Sequence, residues 1–214
     1  MLDLSLAEIF QIVPAVLIAL TIHELSHAFV ALRLGDDTPK ALGRLTINPI
    51  KHIDPLGFIL LVVAGFGWAK PVVINKAKLK KPVRDDILIA LAGPFSNLIF
   101  AVVLVFLLKA VLAKARFPEK TAVDAVVRFL VVFAEINVSL GLFNLLPIPP
   151  LDGSHVIASL LSRKSASGAA LFFKYGSYAL LGIIVLERIL NVEILPIGRA
   201  VRAIVMALLA LGSH

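Results

Sequence analysis

The chain has 214 residues, 59% of them hydrophobic and only 16% charged, and its mean hydropathy is +0.97. Soluble domains average about 45–50% apolar and about 25% charged, so the composition excludes a water-soluble globule and, equally, a disordered chain. With no cysteine, disulfides, thiolate zinc sites and thiol nucleophiles are excluded as well. The net charge of +7 comes from basic residues scattered between apolar runs. No basic helix or aromatic-studded strand gathers them, which argues against nucleic acid and for loops at the surface of a lipid bilayer.

Spanning the hydrocarbon takes about 20 mainly apolar residues in a helix. The first stretch that qualifies is Leu4 to Leu34, with Pro14 as a point of kinking. Met1 to Phe10 holds Asp3 and Glu8 but no basic residue, so it lacks the n-region of a signal peptide and reads as part of a retained helix. A polar stretch, Gly35 to Asp54, follows, and then a short apolar run, Pro55 to Ala69. Fifteen residues rise only about 22 Å as a helix, short of the roughly 30 Å core.

Charge decides how to read that run. If it dips and returns, every basic residue from Arg33 to Arg84 lies on one side and the N-terminus, without any, on the other. If it crosses, the charges divide evenly and orient nothing. The re-entrant reading is preferred, with Leu45, Thr46 and Ile47 as a short strand beside Gly43. After a basic segment, Lys70 to Arg84, the uncharged run Ile87 to Leu108 is the cleanest span. Phe129 to Leu151 is apolar apart from Glu135, and Leu171 to Leu190 and Ile194 to Leu211 are weaker candidates that carry charges. The expected fold is an all-α polytopic membrane protein of about five transmembrane helices. A re-entrant segment and a short β element lie between its first two full spans. It forms one membrane-embedded domain over residues 1–214, with a catalytic core at about 4–155 and C-terminal helices at about 171–211.

The chemistry concentrates in His23-Glu24-Leu25-Ser26-His27. Residues four apart share a helical face, so both imidazoles can address one ion. Ionisable residues inside a span are expensive and need a common reason; a metal supplies one. The glutamate beside the first histidine is positioned to move a proton to and from water attacking a carbonyl. A catalytic zinc takes three protein ligands and keeps a position open. For the third ligand the sequence offers Asp152, Glu135, His155, His52 and Asp54.

Asp152 follows a proline-broken turn, Pro147-Ile148-Pro149-Pro150, at the end of an apolar span. Unwound backbone at membrane depth is tolerated where it lines a wet cavity. The His pair and Asp152 both sit late in their spans. They share a depth if the two helices run the same way, which requires one full crossing between them. The charge count leads to that topology independently. Glu135 lies about 25 Å from Asp152 along a helix, which places it near the other membrane face, at the interface or bonded to a neighbouring helix. His155 stays open as a rival ligand or a donor behind one. His52 and Asp54 read as interfacial loop residues, and His214 as part of a loose terminus. Gly43 to Pro49 offers a strand edge for an unwound substrate, and Asn97 and Asn144 are amides able to hold a substrate backbone or tie helices together.

Together, HELSH in the first span, AGPFSN in another, and NLLPIPPLDG closing a later one resemble the site-2 protease family of intramembrane zinc metalloproteases. GRLTINPIKHIDPLG and FGWAKPV resemble its short prokaryotic branch. The resemblance runs from about residue 21 to residue 155. It implies one zinc held by His23, His27 and Asp152, Glu24 as the catalytic acid/base, and Asn144 at the family's asparagine before the aspartate. It also implies transmembrane protein substrates and a multi-pass protein of the cell membrane with its site toward the cytoplasm. The chain has no stretch for the extra PDZ or nucleotide-sensing domains of some relatives, and no sequence feature identifies an oligomeric state. A metal-transporting or metal-sensing membrane protein using the same histidines is the alternative. Against it stand a single His-rich helix and the lack of a second intramembrane acidic cluster. A catalytically silent relative that binds membrane helices is a third reading, one in which no metal is held.

Overall fold

The computed structural model describes residues 6–64, 67–114, 120–162, 165–190, 192 and 194–211. His214 lies outside the described residues. Three long helices form the centre: α1 (Leu6–Arg33), α4 (Pro82–Lys114) and α5 (Lys120–Leu145). Early α1 meets early α5, with Ala15 and Ala19 buried against Leu130, Phe133 and Ala134. Late α4 reaches the same layer through Leu104, Val105 and Leu108. Consequently α1 and α5 run parallel and α4 runs against both. Alanines four apart on α1 let the neighbouring helices approach closely, the packing that suits a hydrocarbon solvent. The outer face of α4 is apolar too: Ile99, Val103 and Phe106 are exposed. A helix apolar on both faces belongs in lipid.

Among the described residues, four helices are long and apolar enough to cross a membrane: Glu8–Arg33, Pro82–Ala113, Val123–Leu145 and Ala166–Glu187. The chain is a multi-pass membrane protein. The expected fifth crossing at Ile194 to Leu211 becomes α8 (Ile197–Ala210), whose 14 residues rise only about 21 Å. It carries Arg199 and Arg202 and buries Val201 and Val205 against Ala101 and Val138 of α4 and α5. That helix is too short for the bilayer and braces the bundle instead.

The segment between the first two spans returns to its starting point. Following α1 come the single turn α2 (Thr38–Ala41) and then α3 (Pro55–Ala64), 10 residues or about 15 Å long. Ile53 pairs antiparallel with Ala69, and Lys70 N–H donates to His52 O at 2.9 Å. With its two ends paired to each other, this stretch does not cross. Gly57 makes the return possible, because a Cβ there would lie 2.3 Å from Trp68 O.

The β element is not where the sequence pattern put it. Leu45, Thr46 and Ile47 form bends, not a strand, and no strand occurs among the described residues. Gly43 has φ +67°, the left-handed value of the turn that ends α2, which takes it out of any extended edge. β-branched residues favour strands only where a partner is available, and the one pairing here is Ile53 with Ala69. His52, expected at the interface, is fully buried, and its Nε2–H donates to Thr46 O at 2.8 Å. Asp54 caps α3 by accepting from Gly57 N at 2.9 Å.

A short helix and a fourth long one complete the fold. After the turn that holds Asp152, α6 (Ser154–Ser162) packs against α4 and leads into α7 (Ala166–Leu190), which packs chiefly on α6. On the basic side, the loop after α1 grips the segment before α4. Asp36 is buried and accepts from Asn75 N at 2.6 Å and Thr38 N at 2.9 Å, while Asp37 pairs with Lys78. Burial pushes the Asp36 carboxyl up, but the backbone N–H bonds outweigh it and hold the group below the usual carboxylate range. Its stabilisation is therefore present above about pH 4 and lost as pH falls through the lower folded value. Asp36→Ala should cost about 1–3 kcal/mol of unfolding free energy at pH 7. Its deficit against wild type should shrink below about pH 4, measured by thermal unfolding in detergent.

Candidate metal centre

The 3.6-residue period of the helix delivers what the motif needs. His23 and His27 lie on one face of α1, their ring centroids 4.7 Å apart and their planes at 84°. Both are buried. Asp152 arrives from the turn after α5, which folds back on itself: Gly153 N–H donates to Asn144 O at 2.7 Å, and the Pro149–Pro150 peptide is cis. A Cβ at Gly153 would sit 2.3 Å from Leu145 O, so only glycine lets the turn close this tightly. Asp152 Oδ2 then stands 2.9 Å from His23 Nε2 and 3.4 Å from His27 Nε2. One ligand atom from each of the three lies within 4.8 Å of the other two.

The remaining ring nitrogens show what this arrangement requires. His23 Nδ1 is 2.7 Å from Asn97 Oδ1, and His27 Nδ1 is 2.7 Å from Ile89 O. Asn97 is oriented by its own contacts, since its Nδ2 donates to Ala19 O and to Asn137 Oδ1; Asn137 in turn donates from Nδ2 to Phe133 O. Each imidazole thus meets an oxygen acceptor at both nitrogens, while a neutral ring has one N–H. With that proton on Nδ1, two nitrogen lone pairs and a carboxylate converge on one point. A divalent cation satisfies such a set, and two imidazoles with one carboxylate are a catalytic zinc's ligand types.

Glu24 is set apart from the three. Its Oε2 accepts from Val72 N at 3.0 Å and lies 3.8 Å from Arg44 Nη2. Arg44 is itself buried and donates to Lys51 O and Lys70 O, so one guanidinium ties the α2–α3 loop, the returning end of the re-entrant segment and the glutamate together. Burial lowers its pKa while Glu24 raises it, and it remains a cation. The sequence reading used Arg44 only as a charge that sets orientation.

Other residues fall elsewhere. Asn97, expected as a possible substrate contact, is fully buried behind His23 with its amide fully engaged. Asn144 donates to Leu140 O at 3.0 Å and lines a cavity with His23 and Glu24. Gly43 lies outside the cavities that adjoin Glu24. His155 is turned toward Asp86: its Nδ1 is 3.3 Å from Asp86 Oδ2, which also receives Ser159 Oγ–H at 2.9 Å and Lys76 Nζ at 2.8 Å. Glu135 faces a separate cavity that it shares with Arg202. Gly93 was missed altogether. A Cβ there would lie 2.4 Å from His27 Nε2 and 2.7 Å from His23 Cε1, so α4 can pass the histidines only as glycine.

The family model for peptidase family M50 matches residues 11–185. The chain belongs to that family, the site-2 proteases whose motifs it resembles. Among curated relatives, "Putative zinc metalloprotease YwhC" of Bacillus subtilis is 48% identical over 152 residues, covering 70% of this chain and 68% of that protein. "Putative zinc metalloprotease Rip2" of Mycolicibacterium smegmatis is 37% identical over 142 residues, covering 64% and 52%. Its namesake in Mycobacterium tuberculosis is 34% identical over 159 residues, covering 70% and 57%. The chain therefore spans a little over half the length of the Rip2 proteins. No solved structure matches significantly. As an M50 peptidase the protein is a zinc enzyme with protein substrates and a lipid bilayer around it.

Two substitutions test this geometry. Gly93→Ala should displace both imidazoles and weaken zinc binding at least about 100-fold, read by competition with a chelator. Arg44→Gln should leave zinc content unchanged while kcat falls about 10–100-fold, the scale on which an orienting partner acts.

Proposed function

We propose that this M50 peptidase is an intramembrane endopeptidase that hydrolyses peptide bonds in or near transmembrane segments of membrane proteins, with His23, His27 and Asp152 holding zinc and Glu24 as acid/base. The observation that carries the reading is the convergence of three lone-pair-bearing atoms on one point, beside a carboxylate that does not join them. When bound, zinc supplies a Lewis acid that polarises the scissile carbonyl and makes water acidic near pH 7. The protein does the rest. Asn97 and Ile89 O keep each imidazole in the tautomer with its Nε2 lone pair inward, and Asp152 adds the anionic donor. Glu24, with Oε2 fixed by Val72 N–H and Arg44, has Oε1 left to take the proton of the attacking water and hand it to the leaving amine.

The depth of the site supports an intramembrane substrate. His23 and His27 lie in the second half of a spanning helix, inside a bundle whose outer faces are apolar. The loops on the site's side carry the basic residues between Arg33 and Arg84, which orients that side to the cytoplasm of the cell membrane. Asn144, on the wall beside Glu24, is the amide we assign to a substrate backbone contact. A metal transporter built on the same histidines would need a relay of polar groups through the bundle. Beyond Asn97 and Asn137 the described α1 and α5 faces are instead packed with Ala15, Ala19, Leu130, Phe133 and Ala134.

Glu24→Gln decides between the two. It should retain about one zinc per chain while cleavage of a membrane-embedded substrate falls about 10²–10⁴-fold, the usual contribution of a general acid/base. Full cleavage by that variant would reject the mechanism, and zinc flux into proteoliposomes that survives it would favour transport.

A further inference from the structure

Glu24 stands at the junction of two cavities of different character. One, of about 340 Å³, reaches it past His27 and Asp152 and combines charged groups, Lys76, Asp86 and His155, with apolar Val72 and Ile74. The other, of about 380 Å³, reaches it past His23 and is walled by Leu20, Trp68, Phe143 and Leu180. This second cavity does not stop near the metal centre. It shares Leu20, Trp68, Leu140 and Phe143 with a further apolar cavity lined by Val16, Leu17 and Ile136. Together the two make a trench along parallel α1 and α5, from Val16 to Glu24 on one wall and from Ile136 to Asn144 on the other. Eight helical residues rise about 12 Å, the length of about four residues of extended peptide.

The two spaces point in opposite directions along the bundle. Lys76 and Asp86 lie on the basic side, where the loops are, while Val16 and Ile136 lie deeper, toward the middle of their spans. A peptide bond brought to Glu24 therefore has hydrocarbon-like walls on one flank and, on the other, walls that carry Lys76, Asp86 and His155 among apolar residues. We propose that the protein selects the end of an apolar segment. About four consecutive large apolar residues fill the trench on one side of the scissile bond, and polar residues enter the charged vestibule on the other. Cleavage follows the boundary between the two. A polar residue in the trench loses its water without a partner, whereas Leu or Phe there gains from burial. The inference rests on the proteolytic reading above and adds which bond is chosen.

The test uses the full chain in detergent or proteoliposomes and reporters consisting of a Leu/Phe block followed by a Ser/Lys/Glu run, with cleavage mapped by mass spectrometry. Moving the boundary by four residues should move the cleavage position by four. Replacing two block residues next to the boundary by serine should lower kcat/KM by at least tenfold. On the enzyme, Leu17→Trp, which fills the trench two turns from Glu24, should raise KM at least tenfold for the reporter with kcat and zinc content little changed; Val16→Phe serves if that variant does not fold. Cleavage at a fixed position or within the block whatever the boundary, or an unchanged KM in both trench variants, would overturn the proposal. An enzyme that cleaves an unfolded soluble polypeptide but no reporter overturns the trench and leaves proteolysis standing. One that cleaves neither overturns the proteolytic reading itself.

Discussion

Two imidazole nitrogens and a carboxylate oxygen face one another inside a bundle of hydrocarbon side chains, and the rest of the molecule is arranged around making that tolerable. Without a cation between them, three lone-pair donors this close, cut off from water, would be costly. The protein removes every alternative. Asn97 and Ile89 O occupy the outer nitrogens, so neither histidine can turn its lone pair away. Asn97 is fixed by Asn137, and Asn137 by Phe133 O on its own helix. The direction of each hydrogen bond in this chain follows from the one behind it, and the chain ends on a backbone carbonyl that can only accept. A tautomer is thereby set by helix packing.

The same economy explains where the glycines lie. Gly93 brings α4 against the two rings, Gly153 closes the turn that presents Asp152, and Gly57 lets α3 lie on the Trp68 backbone. Each removes a side chain where two pieces of backbone, or backbone and ligand, must come closer than a Cβ allows. The helices supply rigidity to the histidines, and the turn brings Asp152 to His23 from 129 residues away in sequence. A parallel α1–α5 pair with α4 between them in sequence is what makes those two positions coincide in depth.

Much of this was legible from residues alone. A four-residue spacing, the cost of ionisable groups in a span, and the proline-broken turn before Asp152 are local signals, and depth arithmetic linked them. The count of basic residues gave the re-entrant segment, because net topology depends on sums that packing does not alter. What was illegible depends on partners far away in sequence. Arg44 looked like one more loop cation, yet it is buried against Glu24 because two carbonyls, Lys51 O and Lys70 O, come within its reach only after the segment has returned. Asn97 read equally as a substrate contact or a tie between helices, and the partners that make it the tie, Ala19 and Asn137, are far off in sequence. Leu45 to Ile47 had strand-forming residues but no partner, and Ile53 with Ala69 had the partner through chain reversal. The tail from Ile194 carried enough apolar residues for a span but not enough unbroken helix.

Asp86 illustrates how the charged side is held apart from His23, His27 and Asp152. It is buried near the start of α4 and gathers Lys76 from the segment before that helix, and His155 and Ser159 from α6. These elements are the neighbours of the groups that matter: Val72, four residues before Lys76, donates to Glu24, and Asp152 precedes α6 by two residues. A single carboxylate thus joins the segment that orients Glu24 to the helix that follows Asp152. Placing such a joint on the aqueous flank, and leaving the opposite flank to leucine, phenylalanine and tryptophan, keeps charge where water can screen it. The two cavities meet at Glu24, nine residues before the end of α1, inside the spanning helix.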